Sequence, residues 1–185
     1  MSDKKVAVFG IYATRTAAEN ATDSLMRAGF TSTDISVLLP ENLGGPKDLG
    51  TEKATKAPEG TATGVTAGGV IGGTLGVLAG VGLLAIPGLG PFIAAGPIMA
   101  GLAGLGVGGA VGGFTGALIG MGIPEFEAKR YEGRLQKGGI LLSVHCESSE
   151  QVKLAKEVMK ATGGEDVSST GESSGDSKKA AGGKP

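Results

Sequence analysis

The chain has few residues that could do chemistry. Its one histidine and one cysteine, His145 and Cys146, are neighbours in a segment predicted as a strand. Successive side chains of a strand point to opposite faces, so these two are not expected to line one site. No second histidine or cysteine completes a metal cage. We therefore predict no catalytic, cofactor-binding or metal-binding residue, and we do not expect the protein to be an enzyme.

Two further motifs have simpler explanations than a bound ligand. The spacing Gly104-x-Gly106-x-x-Gly109 matches a dinucleotide-binding fingerprint, but it lies inside an apolar segment and does not follow a predicted strand. Glu41 and Asn42 form a polar pair directly after Pro40. Turn chemistry explains that pair equally well. Neither motif indicates a cofactor.

The overall composition argues against nucleic acid as a partner. The chain has 17 basic and 18 acidic residues, so its charge gives no general attraction to phosphates. With two tyrosines, five phenylalanines and no tryptophan, it has few rings on which bases could stack. The single cysteine excludes an intramolecular disulfide framework and fits a reducing compartment.

The strongest pattern is a charge-free block from Gly60 to Pro124. Within it, glycine recurs at every fourth position in two separate series. Four residues are close to one helical turn, so each series is predicted to line one face of a helix without side chains. Such a face lets two backbones approach closely, as in pairs of membrane helices. The predicted helix-packing residues are Gly64, Gly68, Gly72, Gly76, Gly80, Gly104, Gly108, Gly112, Gly116 and Gly120.

Two apolar segments of the block, 63–86 and 97–122, reach the roughly 20 residues that a helix needs to cross a bilayer. The intervening segment Pro87-Gly88-Leu89-Gly90-Pro91 is typical of a hairpin turn. In water the many glycines disfavour an isolated helix, whereas in lipid a helix is the local structure that satisfies the backbone. Membrane insertion is therefore favoured. The alternative is a homo-oligomer or filament with the hairpins buried in a shared core.

Basic residues flank the block on both sides, and the predicted turn has none. By the positive-inside rule, a spanning hairpin would leave both termini in the cytoplasm. A cytoplasmic protein is the alternative if the hairpin does not insert. Lys129, Arg130 and Arg134 follow the second segment and are candidates for contacts with lipid head groups, although such a cluster is more often a solvated helix face.

The segments outside the block alternate between strand and helix patterns. Strands are predicted at 6–12, 35–39 and 140–146, with a short edge strand at 165–169. Capping boxes begin two helices, at Thr16 with Glu19 and at Ser148 with Gln151, and Pro124 is predicted as the first residue of a third helix. On that third helix Phe126, Tyr131 and Leu135 are expected to face the core.

Without the block, the order of elements is β-α-β followed by β-α-β, which predicts an α+β, ferredoxin-like (split βαβ) domain with an inserted antiparallel helical hairpin. The two predicted halves of the domain are 1–40 and 124–169; between them lie a linker at 41–61 and the glycine-zipper hairpin at 62–123, and a disordered tail follows at 170–185.

Several of these segments together resemble a known bacterial family. They are Val8-Phe9-Gly10-Ile11-Tyr12, the helix ending in Ala28-Gly29-Phe30, the paired glycine-rich spans, Gly122-Ile123-Pro124-Glu125 and the strand before His145. The chain resembles small membrane or uncharacterised proteins related to the general-stress-protein domain. Its layout is also similar to the D subunit of alternative complex III, a quinol-oxidising membrane assembly.

The resemblance implies a non-enzymatic, stress-associated protein of the bacterial inner membrane whose glycine-zipper hairpin inserts in lipid or self-associates. The expected partners are membrane lipid and further copies of the chain. The similarity to the complex III subunit implies an alternative, an accessory subunit bound to respiratory-complex partners. The family has no established catalytic residues that could be transferred to this chain.

Overall fold

Six strands form one sheet in the computed structural model, which describes residues 6–44, 82–86, 88–104 and 113–171. In chain order the strands are β1 (Val6–Tyr12), β2 (Ile35–Pro40), β3 (Gly82–Ile86), β4 (Gly90–Ala95), β5 (Ile140–Cys146) and β6 (Glu165–Gly171). The order across the sheet is β3-β4-β2-β5-β1-β6, and every neighbouring pair is antiparallel. The mixed α+β class is therefore confirmed.

Helices cover both faces of this sheet. Within the described ranges the helices are α1 (Arg15–Arg27), α2 (Glu41–Gly44), α3 (Pro97–Gly104), α4 (Gly113–Gly120), α5 (Glu125–Gln136) and α6 (Ser149–Ala161). Buried side chains alternate along β5: Leu142 and Val144 pack with α1 and α6, whereas Leu141 belongs to the cluster beneath α3, α4 and α5. The sheet is thus the middle of three layers.

The strands predicted outside the block are confirmed with small changes at their ends. β1 and β5 have the predicted bounds, and β6 runs two residues beyond the predicted edge strand. β2 includes Pro40, which lies opposite Phe92 of β4. A proline is compatible with that position only where the strand does not need its N–H group.

Two helix starts differ from their predictions. Thr14, and not Thr16, is the N-cap of α1, because its hydroxyl accepts a hydrogen bond from Ala17 N at 3.2 Å. Pro124 is the N-cap of α5 and precedes its first helical residue. The predicted start of α6 is correct, since Ser148 Oγ accepts from Gln151 N at 3.2 Å.

The expectation that Phe126 faces the core is wrong, because its side chain is 71% exposed. The buried stripe of α5 consists of Ala128, Tyr131 and Leu135, which follow one another at helical spacings of three and four residues. Phe126 lies off that stripe, and the Arg130 guanidinium lies 4.6 Å from the centre of its ring.

The helix predicted for 63–86 is wrong for its last five residues, which form β3. Leu89 N donates to Ile86 O at 3.0 Å, and Gly88 has a φ of +81° in the turn that joins β3 to β4. The segment is therefore a β-hairpin around the predicted turn. Sheet pairing explains the difference: β4 pairs with β2 and β3 pairs with β4, which satisfies both backbones without the helical cost of glycine.

The segment 97–122, predicted as one spanning helix, contains α3 and α4, each of eight residues. A side chain of β2 fixes the start of α3, since Ile98 N donates to Ser36 Oγ at 3.0 Å. None of the helices in the described ranges is both long enough and apolar enough to cross a membrane.

Candidate interaction surface

Three of the ten predicted helix-packing glycines lie in the described helices. Gly104 is the last residue of α3, and Gly116 and Gly120 belong to α4. The remaining seven lie outside the described residues: Gly64, Gly68, Gly72, Gly76, Gly80, Gly108 and Gly112.

The glycine face of α4 points away from the core. The helix buries Phe114, Ala117 and Leu118 against the sheet and α5. Gly120 is exposed, Gly116 is partly exposed, and the neighbouring Ile119 is 42% exposed. The buried bulky side chains of α4 and its exposed positions therefore lie on opposite sides of the helix.

The outer face of α3 is also made of small residues. Its inner side carries Ile98, Met99 and Leu102, all nearly fully buried. Ala100 and Gly101 are exposed, and a Cβ atom built at Gly101 would have no neighbouring heavy atom within 4 Å. Both helices thus bury most of their bulky side chains and expose uncharged residues, most of them small, with Ile119 of α4 as a bulky exception. An ordinary surface helix instead exposes charged or polar residues.

Contacts with α5 hold α4 in this orientation. Thr115 Oγ1 donates to Glu132 Oε2 across the two helices. After α4 the chain turns sharply at Gly122, which has a φ of +90°, and Ile123 is buried in the same core. The outward direction of the glycine face follows from these fixed neighbours.

A polar cleft of about 130 Å³ lies between α5 and β6. Tyr131 Oη donates to the Asp166 carbonyl oxygen at 2.7 Å and lies 2.7 Å from Ser168 Oγ. Arg130 Nη1 contacts Asp166 Oδ1 at 2.7 Å, and Arg134 Nη2 contacts Glu165 Oε2 at 2.7 Å. These groups bind one another, so the cleft anchors β6 to α5.

The protonation state of Tyr131 also supports a structural role for the cleft, in which it attaches β6 to α5. Burial raises the pKa of its phenol to about 12, with the charge of nearby Glu127 adding to the effect and the Ser168 hydrogen bond opposing it. The phenol therefore remains protonated at neutral pH and cannot act as a general base there. It serves instead as a constant hydrogen-bond donor.

The basic cluster after the block forms ion pairs within the fold. Lys129 Nζ lies 2.6 Å from Glu125 Oε1, an exposed pair one helical turn apart. Arg130 and Arg134 pair with acidic residues of β6. Contacts between these residues and lipid head groups therefore remain a prediction. In the described structure all three side chains form ion pairs with acidic residues of the same chain.

His145 and Cys146 lie on opposite faces of β5, as expected. Cys146 is fully buried in the cluster beneath α1 and α6. His145 is partly buried and lies opposite Ala7, which belongs to the other cluster. In the described ranges no three histidine, cysteine or acidic side chains are grouped closely enough to hold a metal ion.

Sequence reasoning missed two features of this part of the fold. One is the anchor between α5 and β6, whose only signal is the pair Arg130 and Arg134 at helical spacing, with two acidic residues before Val167. The other is the hairpin of β3 and β4, which the glycine rhythm obscured. No protein-family model matches this chain, and no curated protein or solved structure is similar to it.

Proposed function

We propose that this protein is a non-enzymatic assembly protein whose charge-free block binds further copies of the same chain. The outward position of the partly exposed Gly116 on α4 is the observation that carries the proposal. Because glycine has no side chain, a glycine face makes extensive contact only with a helix whose backbone approaches closely. A second small-residue helix face is such a partner. The link to bacterial stress rests on the family resemblance.

The same proposal assigns a ferredoxin-like, split βαβ core to the chain. The strands β2, β5, β1 and β6 are neighbours in that order, and α1 and α6 cover one of their faces. In this interpretation the block is an insertion between the second and third strands of the core. Its described part, from β3 to α4, widens the sheet and covers the second face.

Self-association accounts for the outer face of these helices better than membrane insertion does. The described helices of the block are single short pieces that pack their bulky residues on the sheet. Most of what they leave outside is small, with Ala100, Gly101 and Gly116, although Ile119 is a bulky exposed side chain on α4. Such a surface offers little apolar area to lipid chains but permits close helix contact.

Replacement of Gly116 by Leu tests this function. The leucine side chain would separate the two helix faces, so we expect the variant to form a smaller oligomer than wild type, or a monomer. Sedimentation velocity measures this difference in size. Gly133→Leu is the matched control, because a Cβ at Gly133 of α5 would have no neighbour within 4 Å and that helix is rich in charge. Circular dichroism establishes that both variants fold.

Two outcomes would contradict the proposal. A wild-type chain that is monomeric at every concentration tested would remove self-association altogether. An oligomer of unchanged size in folded Gly116→Leu would remove the glycine face as its interface. Flotation with vesicles of bacterial lipid composition measures the membrane alternative, and quantitative flotation of the wild-type chain would favour insertion over assembly.

A further inference from the structure

The two edges of the sheet are protected very differently. The β6 edge carries Glu165 and Asp166, both ion-paired with α5, and Asp166 has a φ of +51° at a register shift opposite Gly10. Charges and bulges of this kind prevent a further strand from adding to an edge. The β3 edge has the sequence Gly-Leu-Leu-Ala-Ile, with no charge and no proline. Within the described ranges no strand pairs with its outer side.

Two prolines fix which backbone groups of β3 point outward. Phe92 of β4 lies opposite Pro40 on one side and Leu84 on the other. Pro40 has no N–H and cannot exchange a pair of hydrogen bonds with Phe92, so the polar groups of Phe92 are directed to Leu84. Because these directions alternate along a strand, the N–H and C=O groups of Leu83 and Ala85 point away from β4. The register of Ala85 with Pro91, which also lacks an N–H, agrees.

We propose that β3 pairs with β3 of a second copy, antiparallel and across a two-fold axis, so that the two sheets become one. This inference rests on the proposed self-association and names an interface for it. Every pair in the described sheet is antiparallel, and a two-fold axis beside an edge strand produces that direction automatically.

The occupant is a second copy because the edge offers no features that select another partner. It has no charge to attract a complementary segment, whereas an identical uncharged strand matches it in length and in hydrogen-bond spacing. In a pairing centred on Leu84, each Leu83 lies opposite Ala85 of the other copy and exchanges two hydrogen bonds with it. Since β6 does not accept a strand, the assembly closes at two copies along the sheet.

Disulfide trapping of Leu84→Cys tests the pairing. The two Leu84 positions form the central pair that lacks hydrogen bonds, where Cα atoms are about 4.5 Å apart and a disulfide can form. Leu84 is only partly buried, and the natural Cys146 is fully buried, so it does not compete. We expect a cross-linked dimer on mild oxidation. Ser169→Cys on β6 is the matched control at the opposite edge and should remain uncross-linked.

Ala85→Pro provides a second, independent measurement. Proline removes the outward N–H of Ala85 but no hydrogen bond to β4, so the hairpin should survive while each interface loses two bonds. We expect the dimer Kd to rise roughly tenfold or more. Ala85→Val keeps the N–H and should leave Kd within about threefold of wild type. Far-ultraviolet circular dichroism checks that both variants fold.

The results separate this inference from the proposed function. An oligomer in which folded Leu84→Cys does not cross-link and Ala85→Pro leaves Kd unchanged overturns the β3 pairing and leaves the helix-face assembly intact. A dimer that cross-links at Leu84 but is unaffected by Gly116→Leu supports the pairing and removes the helix face. A wild-type chain that stays monomeric overturns both.

Discussion

At the scale of single residues, the fold depends on a few positions where backbone geometry or burial allows one residue type. Gly29, Gly138 and Gly163 have positive φ angles after α1, α5 and α6, in the position directly beyond a helix where glycine is common. Gly96 had no such signal. Its constraint comes from β2, which lies far away in the chain, and only the structure reveals it.

We expect Gly96→Ala to destabilise the protein by about 2–4 kcal/mol. Gly96 has a φ of +94°, and a Cβ there would collide with Ile35 O and Ser36 Oγ. Urea unfolding measures the loss. Gly133→Ala is the control, since it adds a methyl group to open space on a helix and should stabilise by about 0.5–1 kcal/mol. Equal midpoints for wild type and Gly96→Ala would contradict the collision.

The phenol of Tyr131 predicts a loss of stability in alkali. Burial holds its folded pKa at about 12, above its ordinary value of 10.0, so the folded state favours the protonated form. The resulting stability is fully present below pH 10 and is lost as the pH rises through 12. Tyr131→Phe should be less stable by about 1–2 kcal/mol at pH 7, because Asp166 O loses its donor.

The pH dependence of urea unfolding separates Tyr131 from other groups. Burial also raises the pKa of Tyr12, so part of the alkaline loss should persist in Tyr131→Phe. We expect a smaller decrease between pH 10 and pH 12 in the variant than in wild type. Identical slopes for the two proteins in this range would show that Tyr131 does not ionise with a raised pKa.

At the scale of elements, strands and helices with a strong local signal were predictable, and those decided by a distant partner were not. The apolar residues Ile140, Leu142 and Val144 recur at every second position, which predicts a strand, and β5 confirms it. All three side chains lie on the same face of the sheet. The last five residues of the segment 63–86 look equally suited to a helix. They form β3 because they pair with β4, which in turn pairs with β2. No local sequence pattern encodes these contacts.

The N-cap of α6 gives a prediction for an element as a whole. Ser148 Oγ accepts from Gln151 N, and Gln151 Oε1 accepts from Glu147 N at 2.7 Å, so two free N–H groups are satisfied at the helix start. Ser148→Ala should destabilise the protein by about 1 kcal/mol in thermal unfolding. Ser148→Asp, which retains an acceptor, should stay within about 0.5 kcal/mol of wild type. Equal losses in the two variants would argue against capping.

At the scale of the whole molecule, the described part of the charge-free block belongs to the globular fold. The glycine spacing and the lack of charge predict a separate hairpin, because both are typical of membrane helices. The described part instead supplies two strands and two of the helices that cover one face, the third being α5. The candidate surface was predictable only as a periodicity. That Gly116 faces outward depends on which side of α4 carries Phe114 and Leu118, a matter of packing.

The place of β5 in the middle of the sheet has a consequence for synthesis. β1 pairs only with β5 and β6 in the described sheet, and both follow it in the chain by about 130 residues or more. At about 5–20 residues per second, the apolar β1 segment waits several seconds for a strand partner. During that interval the nascent chain exposes Val8, Phe9 and Ile11, which become fully or almost fully buried in the finished protein. Protection by a ribosome-associated chaperone would matter most in that interval.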